Sequence, residues 1–208
     1  MKRLFDIFVS LVVLIVLFPL VVLIAIIIKI DSKGSFLYFS ERIGKDEKPF
    51  KLIKFRSMKP NSEKNGPLNV SLNDLRVTKF GKFLRSSKID EIPQLINVLF
   101  GDMSLVGPRP DIRIFTTLYS KDEKKILSIK PGMTDWASIV NAFQYKEFKN
   151  CTDPDSFFIE RIRPVKVKLQ LYYLKHNNLF YDIEILFWTF IVVILRFRTI
   201  PKKIKDLL

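Results

Sequence analysis

The sequence predicts a mostly helical α/β (α+β) protein: an N-terminal membrane helix followed by one domain carrying a small β-hairpin and amphipathic helices. Three observations lead there. A long apolar run opens the chain, two short β-prone stretches flank a polar turn, and much of the remainder repeats apolar residues at helical spacing. The 208 residues allow one domain beside the membrane segment, with residues 1–30 as the membrane part and 31–208 as the domain.

The opening run, Ile7 to Ile28, is interrupted only by Ser10 and Pro19. As a helix its 22 residues reach about 33 Å, enough to cross a hydrocarbon core. It is long for a secretory leader, and no small-residue cleavage site follows it. Its path through the bilayer is open at this stage. Pro19 lies mid-run, where proline removes a backbone donor and clashes with the preceding turn. A helix that breaks there and returns to the same face fits. A kinked helix that crosses fits equally, since membrane helices tolerate proline. Lys2 and Arg3 precede the run and Lys29 and Lys33 follow it, so the bias toward cytoplasmic basic residues gives no orientation.

Beyond Lys29 the composition becomes that of a soluble domain. Residues 36–40 (FLYFS) and 50–55 (FKLIKF) read as two strands joined by the turn GKDEKP. Residues 79–87 (KFGKFLRSS) form a short basic amphipathic element. Ile92, Leu95, Ile96 and Leu99 recur at helical spacing, and Gly101 stops them. Ser120 and Glu123 make a capping box for a helix through about Ile129, closed by Pro131 and Gly132. A further helix starts at Pro154 and is expected to break near Pro164, with another from there to His176. The last apolar segment, Leu179 to Leu195, carries Asp182 and Glu184, which make a bilayer-centred span costly. Phe187 and Trp188, with Arg196, Arg198, Lys202 and Lys203 beyond them, suit a helix at headgroup level. A core helix of the domain fits the same pattern.

Lys and Arg total 35 against 21 acids, a formal charge of +14 that calls for an anionic partner. Nucleic acid is set aside, because acids are mixed among the bases and no nucleic-acid-binding motif occurs. Anionic membrane lipid accounts for basicity at about 1 kcal/mol per nearby Lys or Arg; a phosphorylated substrate is the other candidate. The lone Cys151 excludes an intramolecular disulfide, and the lone His176 argues against a zinc site. Any metal must be held by oxygen ligands, which favours Mg²⁺ or Mn²⁺. The seven glycines form no phosphate-binding fingerprint, so phosphate must be gripped by Arg and Lys.

The stretch 88–110, KIDEIPQLINVLFGDMSLVGPRP, concentrates the candidate chemistry. Asp90 and Glu91 stand side by side at a helix start, where unpaired N–H groups favour ionised acids and approaching phosphates. Neighbouring side chains diverge, so they do not clamp a bond from both sides as glycosidase carboxylates do. A carboxylate here can bind a hard metal or attack phosphorus; acids at such positions also serve as ordinary caps. Around them stand Arg85, Arg109 between Pro108 and Pro110, and Arg42, Lys54 and Arg56 about the hairpin. Singly each is a surface charge. As a set they point to a diphosphate held by guanidinium groups with a bridging metal.

These residues resemble a known family, the bacterial sugar transferases or monotopic phosphoglycosyl transferases. The likeness covers nearly the whole chain: Lys2, Arg3, Asp6 and Ile7 at the start, Arg42-Ile43-Gly44, FKLIKFRSM at 50–58, residues 79–110, KPGMTDWASI at 130–139 and LYYLKHNNLFYDIEILFWT at 171–189. The resemblance implies Asp90 as nucleophile and metal ligand, Glu91 as its partner, and phosphate contacts at Arg85 and Arg109. It also implies Mg²⁺, a nucleoside-diphosphate sugar (usually a UDP-sugar) as donor and polyprenol phosphate as acceptor, with UMP released. Transfer would proceed through a covalent phosphosugar-aspartate. The membrane helix would be re-entrant, breaking at Pro19, with residues 31–208 a catalytic domain on the cytoplasmic face of the bacterial inner membrane. The oligomeric state stays open, a homodimer included. The resemblance is incomplete at Phe18, where many relatives have Ser before the proline, at PGMTDWASI, where many read PGITG and then a Gln-Val pair, and at Gln170, where many carry an acid. The competing reading is a non-catalytic scaffold that binds anionic lipid or glycan-assembly enzymes. An intact acidic pair beside Arg85 and Arg109 argues against it.

Overall fold

A computed structural model describes residues 1–60, 62, 68, 74–149, 153–197 and 199–208, without the side chains of 143–149 and 194. Cys151 and Arg198 lie outside the described residues. The architecture is mostly helical with two short sheets, as expected.

Helix α1 (Lys2–Asp31) is the one helix among the described residues long and apolar enough to cross a membrane. Its helical hydrogen bonding continues through Pro19, so the expected break there is corrected. One missing donor leaves the turns on either side intact, and Pro19 is exposed. The inward stripe Asp6, Ser10, Ile24 and Ile28 is buried. Phe5, Val9, Val13 and Leu14 pack on the main core with Leu95, Val98 and Leu105, and Ile24 and Ile28 join Phe55 and Leu84. The outward stripe, including Phe8, Leu11, Ile15, Phe18, Leu23 and Ile26, is exposed and wholly apolar. Such a face on a folded protein marks contact with lipid or a partner.

Polar anchors hold both ends of α1 to the domain. Lys2 forms an ion pair with Asp182 and donates to the Val106 carbonyl at 3.0 Å. Arg3 donates to the Leu99 carbonyl at 2.9 Å, and Asp6 accepts from Ser104 Oγ at 2.7 Å. At the far end Arg56 donates to the Ser32 carbonyl at 2.6 Å and to Ser32 Oγ at 3.0 Å.

Strands β1 (Leu37–Ile43) and β2 (Pro49–Phe55) form the expected hairpin, antiparallel with Leu37 opposite Phe55 and Ile43 opposite Pro49. Helix α2 (Lys79–Ser87) is capped by Thr78, whose hydroxyl accepts from Gly81 N at 2.9 Å. Helix α3 (Gln94–Phe100) stops at Gly101, whose φ of +91° suits glycine. Two three-residue strands, β3 (Ser104–Val106) and β4 (Gly132–Thr134), pair in parallel. They approach so closely that a Cβ on Gly132 would lie 2.0 Å from Gly107 N.

After α4 (Arg113–Thr116), the Ser120–Glu123 box closes in both directions, at 2.8 and 3.3 Å. The helix it opens is a six-residue 3₁₀ segment, Glu123–Ser128, since the chain extends again at Ile129. Helix α5 (Trp136–Lys149) follows. The helix from Pro154 does not break near Pro164: α6 (Pro154–Phe157) passes through a π-turn at Phe158–Ile162 into α7 (Arg163–His176). Pro164 lies just after that π-turn, where the irregular hydrogen bonding accommodates a residue without an N–H. Helix α8 (Leu179–Thr189) divides its faces: Asp182 and Ile185 are buried, while Phe180, Ile183 and Phe187 are exposed. The short α9 (Lys202–Lys205) ends the chain.

Candidate active site

The acidic pair lies in a 3₁₀ turn, Ile89–Glu91, wedged between α2 and α3. Lys88 ends α2 in the left-handed conformation, φ +60°, which turns the chain sharply into that wedge. The two carboxylates, adjacent in sequence, meet opposite surroundings.

Glu91 is clamped. Arg109 grips it with both terminal nitrogens, Nη1 to Oε2 at 2.9 Å and Nη2 to Oε1, and Lys54 Nζ donates to Oε1 at 2.9 Å. Burial alone would raise its pKa, but Arg109, Lys54 and Lys88 outweigh burial and hold it well below the usual glutamate value. Reciprocally, burial works against the Arg109 charge and Glu91 more than reverses that, so Arg109 stays cationic.

Asp90 is only 6% exposed, and its Oδ1 has no hydrogen-bond partner among the described residues. Burial pushes its pKa up and Glu91's charge adds to that, against the opposing pull of Lys54, Lys88 and Arg85. One acid is ionised and held by two cations; the other is desolvated and free at one oxygen. Divergent environments on paired carboxylates are how active sites divide roles between two like groups.

Arg109 reaches Glu91 because its backbone is fixed on three sides. Pro108 and Pro110 flank it, its N–H donates to Asp135 Oδ2 at 3.0 Å, and its Nη1 also donates to the Met133 carbonyl at 3.2 Å. The close β3–β4 approach at Gly107 and Gly132 makes this geometry available. Asp135, 1% exposed, also accepts from Ser138 N at 2.7 Å and from Gln170 Nε2 at 2.8 Å. Asp135, in the PGMTDWASI stretch, and Gln170 are thus in direct contact.

Of the other expected site residues, Arg85 donates to Ser57 Oγ at 2.9 Å and lines the same cavity as Glu91 and Arg109. Arg42 lines a second cavity together with Lys54 and Arg109; burial, and Arg109 after it, lowers its pKa. Arg56 is not brought to this cluster, because its guanidinium closes the C-terminus of α1, where free carbonyls attract a cation. Residues that the sequence did not single out surround the site: Gln94 and the buried Lys166–Asp111 ion pair, whose Asp111 also accepts from Tyr119 OH at 2.9 Å. Their signal in sequence is no more than polar residues within otherwise apolar runs.

The first cavity, 630 Å³, has two characters. Arg85, Lys88, Glu91 and Arg109 line one side; Val13 and Leu17 of α1 and Leu186 and Val193 of the α8 segment line the other. The second, 190 Å³, is polar and lies on the hairpin side of Arg109.

The domain thus seats an apolar helix against a pocket lined by Arg85, Lys88, Glu91 and Arg109; Asp90 lies next to Glu91 in the chain but lines neither cavity. The chain belongs to the bacterial sugar transferase family, whose model matches residues 1–196. It is 35% identical over 191 residues to the UDP-N-acetylgalactosamine-undecaprenyl-phosphate N-acetylgalactosaminephosphotransferase of Aeromonas hydrophila, covering 90% of this chain and 42% of that protein. To the UDP-glucose:undecaprenyl-phosphate glucose-1-phosphate transferase of Klebsiella pneumoniae it is 37% identical over 191 residues, 90% of this chain and 39% of the relative. The chain thus spans about two fifths of the length of these two relatives. The exopolysaccharide production protein PSS of Rhizobium leguminosarum bv. phaseoli is 36% identical over 200 residues, 91% of this chain and 92% of the relative.

Proposed function

We propose that this protein transfers a sugar-1-phosphate from a nucleoside-diphosphate sugar, a UDP-sugar, to polyprenol phosphate through a phosphosugar on Asp90. The opposed states of Asp90 and Glu91 carry the reading. A carboxylate already bound by Arg and Lys is a poor nucleophile, whereas Asp90 keeps an unpartnered oxygen in a water-poor site. The relatives' names, which pair UDP-sugars with undecaprenyl phosphate, support the substrate classes.

In the first step an Asp90 oxygen attacks the phosphorus bearing the sugar. The new Asp90–phosphorus bond replaces the phosphorus–oxygen bond to the nucleotide, and UMP leaves with that oxygen. In the second step a phosphate oxygen of the acceptor attacks the same phosphorus. The Asp90–phosphorus bond breaks, the carboxylate is restored, and polyprenol-diphosphate-sugar is released. Arg109 and Lys54 stay fixed on Glu91 and present positive potential without reorganising, while Arg85 and Lys88 line the cavity where phosphate enters. The mixed lining of the larger cavity suits an acceptor with an anionic head and an isoprenoid tail.

Mg²⁺ or Mn²⁺ fits this donor set. No cluster of three acidic, His or Cys side chains occurs among the described residues, but such ions take one or two carboxylates plus substrate phosphates. Asp90, together with the substrate's phosphates, would hold the ion, and when bound it would supply counter-charge to the leaving phosphate.

For the membrane, we infer that both ends of α1 lie on one side, at the cytoplasmic face. Lys2 and Arg3 at one end and Ile28 and Ser32 at the other all contact the same domain. That supports a continuous helix that lies along the domain with its apolar outward face in lipid, rather than one that crosses. A cysteine at position 2 should resist membrane-impermeant reagents in intact cells; its modification would mean that the helix crosses. The activity is tested by incubating detergent-purified protein with several UDP-sugars, Mg²⁺ and polyprenol phosphate. UMP release that stops with EDTA, and a phosphosugar mass adduct without acceptor, are expected. Absence of UMP release from every UDP-sugar would overturn the reading.

A further inference from the structure

The 190 Å³ cavity contains a group that the transfer chemistry above does not use. Gln94 is 1% exposed, lines this cavity, and has neither side-chain polar atom hydrogen-bonded among the described residues. Buried carboxamides are nearly always paired, because each unmet donor or acceptor carries a desolvation cost. Asn141, on α5, lines the same cavity and its Oδ1 is likewise buried without a partner. A wall of cations alone would suit phosphate; a carboxamide, with donor and acceptor side by side, suits a neutral ring edge that offers the complementary pair.

Two further features narrow the ligand. Phe115 and Phe158 line the cavity, their ring centroids 4.6 Å apart, and Lys166 Nζ lies 5.8 Å from the Phe158 centroid. Aromatic faces favour stacking of a planar heterocycle. On the other side Arg42, Lys54 and Arg109 meet the cavity, and Arg109 lines the larger cavity as well. A molecule with a planar base at one end and phosphate at the other would set its base against Phe158 and its phosphate against Arg109, which lines both cavities and holds Glu91.

We propose that this cavity is the nucleoside pocket of the donor, and that Gln94 hydrogen-bonds the edge of its base. The inference rests on the nucleoside-diphosphate-sugar reading and adds where the base sits and what reads it. It also explains why an amide is buried unpaired one helical turn beyond Asp90: its partner belongs to the ligand.

The test compares inhibition by UMP and by ribose 5-phosphate, which carries a phosphoribose but no base, in the wild type, Gln94→Met and Phe158→Leu. Methionine keeps the volume and removes both unmatched polar atoms, so the variant should melt no lower than wild type. UMP inhibition should weaken about tenfold or more in Gln94→Met, since a site built to hydrogen-bond a polar edge loses strongly when the pairing fails. Ribose 5-phosphate inhibition and KM for polyprenol phosphate should hold. Equal weakening toward both inhibitors, or unchanged UMP inhibition, would overturn the pocket. Should Gln94→Met not fold, Phe158→Leu decides by the same ratio. If the wild type turns over no UDP-sugar, the transfer reading falls. Calorimetric UMP binding that is lost in Gln94→Met would then still support the pocket, and no UMP binding to the wild type would refute it.

Discussion

Asp90→Asn separates activity from stability. Asp90 is buried, its Oδ1 is unpartnered, and burial outweighs the attraction of Lys54 in setting its pKa above the ordinary aspartate value of 3.8. The ionised side chain therefore strains the folded state while it supplies the nucleophile. Asparagine preserves shape and removes the charge. A buried unmatched polar group costs about 1–3 kcal/mol, and asparagine still leaves an amide there, so a gain near the lower end, about 1 kcal/mol, is expected. For a chain of this size that raises Tm by about 2–4 °C. The sign depends on pH. A carboxyl with a raised folded pKa imposes no penalty below its unfolded value. The penalty grows as pH rises through that value and is complete above the folded one. The variant's advantage should therefore be largest at neutral pH and vanish in acid. Turnover should fall by at least about 10⁴-fold, as for loss of other covalent nucleophiles. The assay pairs UMP release and intact mass with melting of the detergent-solubilised protein across pH. Retained turnover would refute the nucleophile, and a Tm difference that ignores pH would refute the electrostatic account.

Glu91→Gln should act oppositely on stability: it leaves the half-buried Arg109 and Lys54 without their counter-charge, costing about 2 kcal/mol, seen as a lower Tm together with lost turnover. In the wild type the same depressed pKa means Glu91's contribution is present above its ordinary value of 4.5 and lost as pH falls through the folded value. Lys54→Met removes the strongest charge that lowers the Asp90 pKa, so the acid limb of kcat/KM against pH should move to higher pH; an unmoved limb would mean that another group controls it. Asp135→Ala and Gln170→Ala should be non-additive by about 1 kcal/mol in a thermal double-mutant cycle, because Asp135 Oδ2 accepts from both Gln170 and the Arg109 backbone. Simple additivity would show the two positions to be independent.

Elements governed by neighbours along the chain were legible. The hairpin, α2, the Gly101 stop and the Ser120–Glu123 box all rest on alternation, capping and turn chemistry within a few residues. Local rules erred where a second interaction intervened. Pro164 was read as a break, yet the π-turn before it absorbs the missing donor; Pro19 likewise leaves α1 continuous. Strands β3 and β4 were invisible, since three residues show no periodicity and the partners lie more than two dozen positions apart. Arg56 read as a phosphate ligand because a guanidinium near a hairpin looks the same whether it faces substrate or a helix end.

The sequence by itself determined the ingredients: an apolar helix flanked by bases, an acidic pair at a helix start, scattered arginines and no thiol or imidazole cluster. Side-chain chemistry and short-range geometry are sufficient for those. Tertiary structure alone decided which acid does what. Asp90 and Glu91 are neighbours with nearly the same chemistry, and nothing local separates them. The close Gly107–Gly132 crossing and the prolines beside Arg109 carry a guanidinium from 18 residues away onto Glu91, and β2 brings Lys54 from the other side. Neither cation hydrogen-bonds Asp90 Oδ1, so burial dominates there and leaves the free oxygen that the proposed chemistry needs.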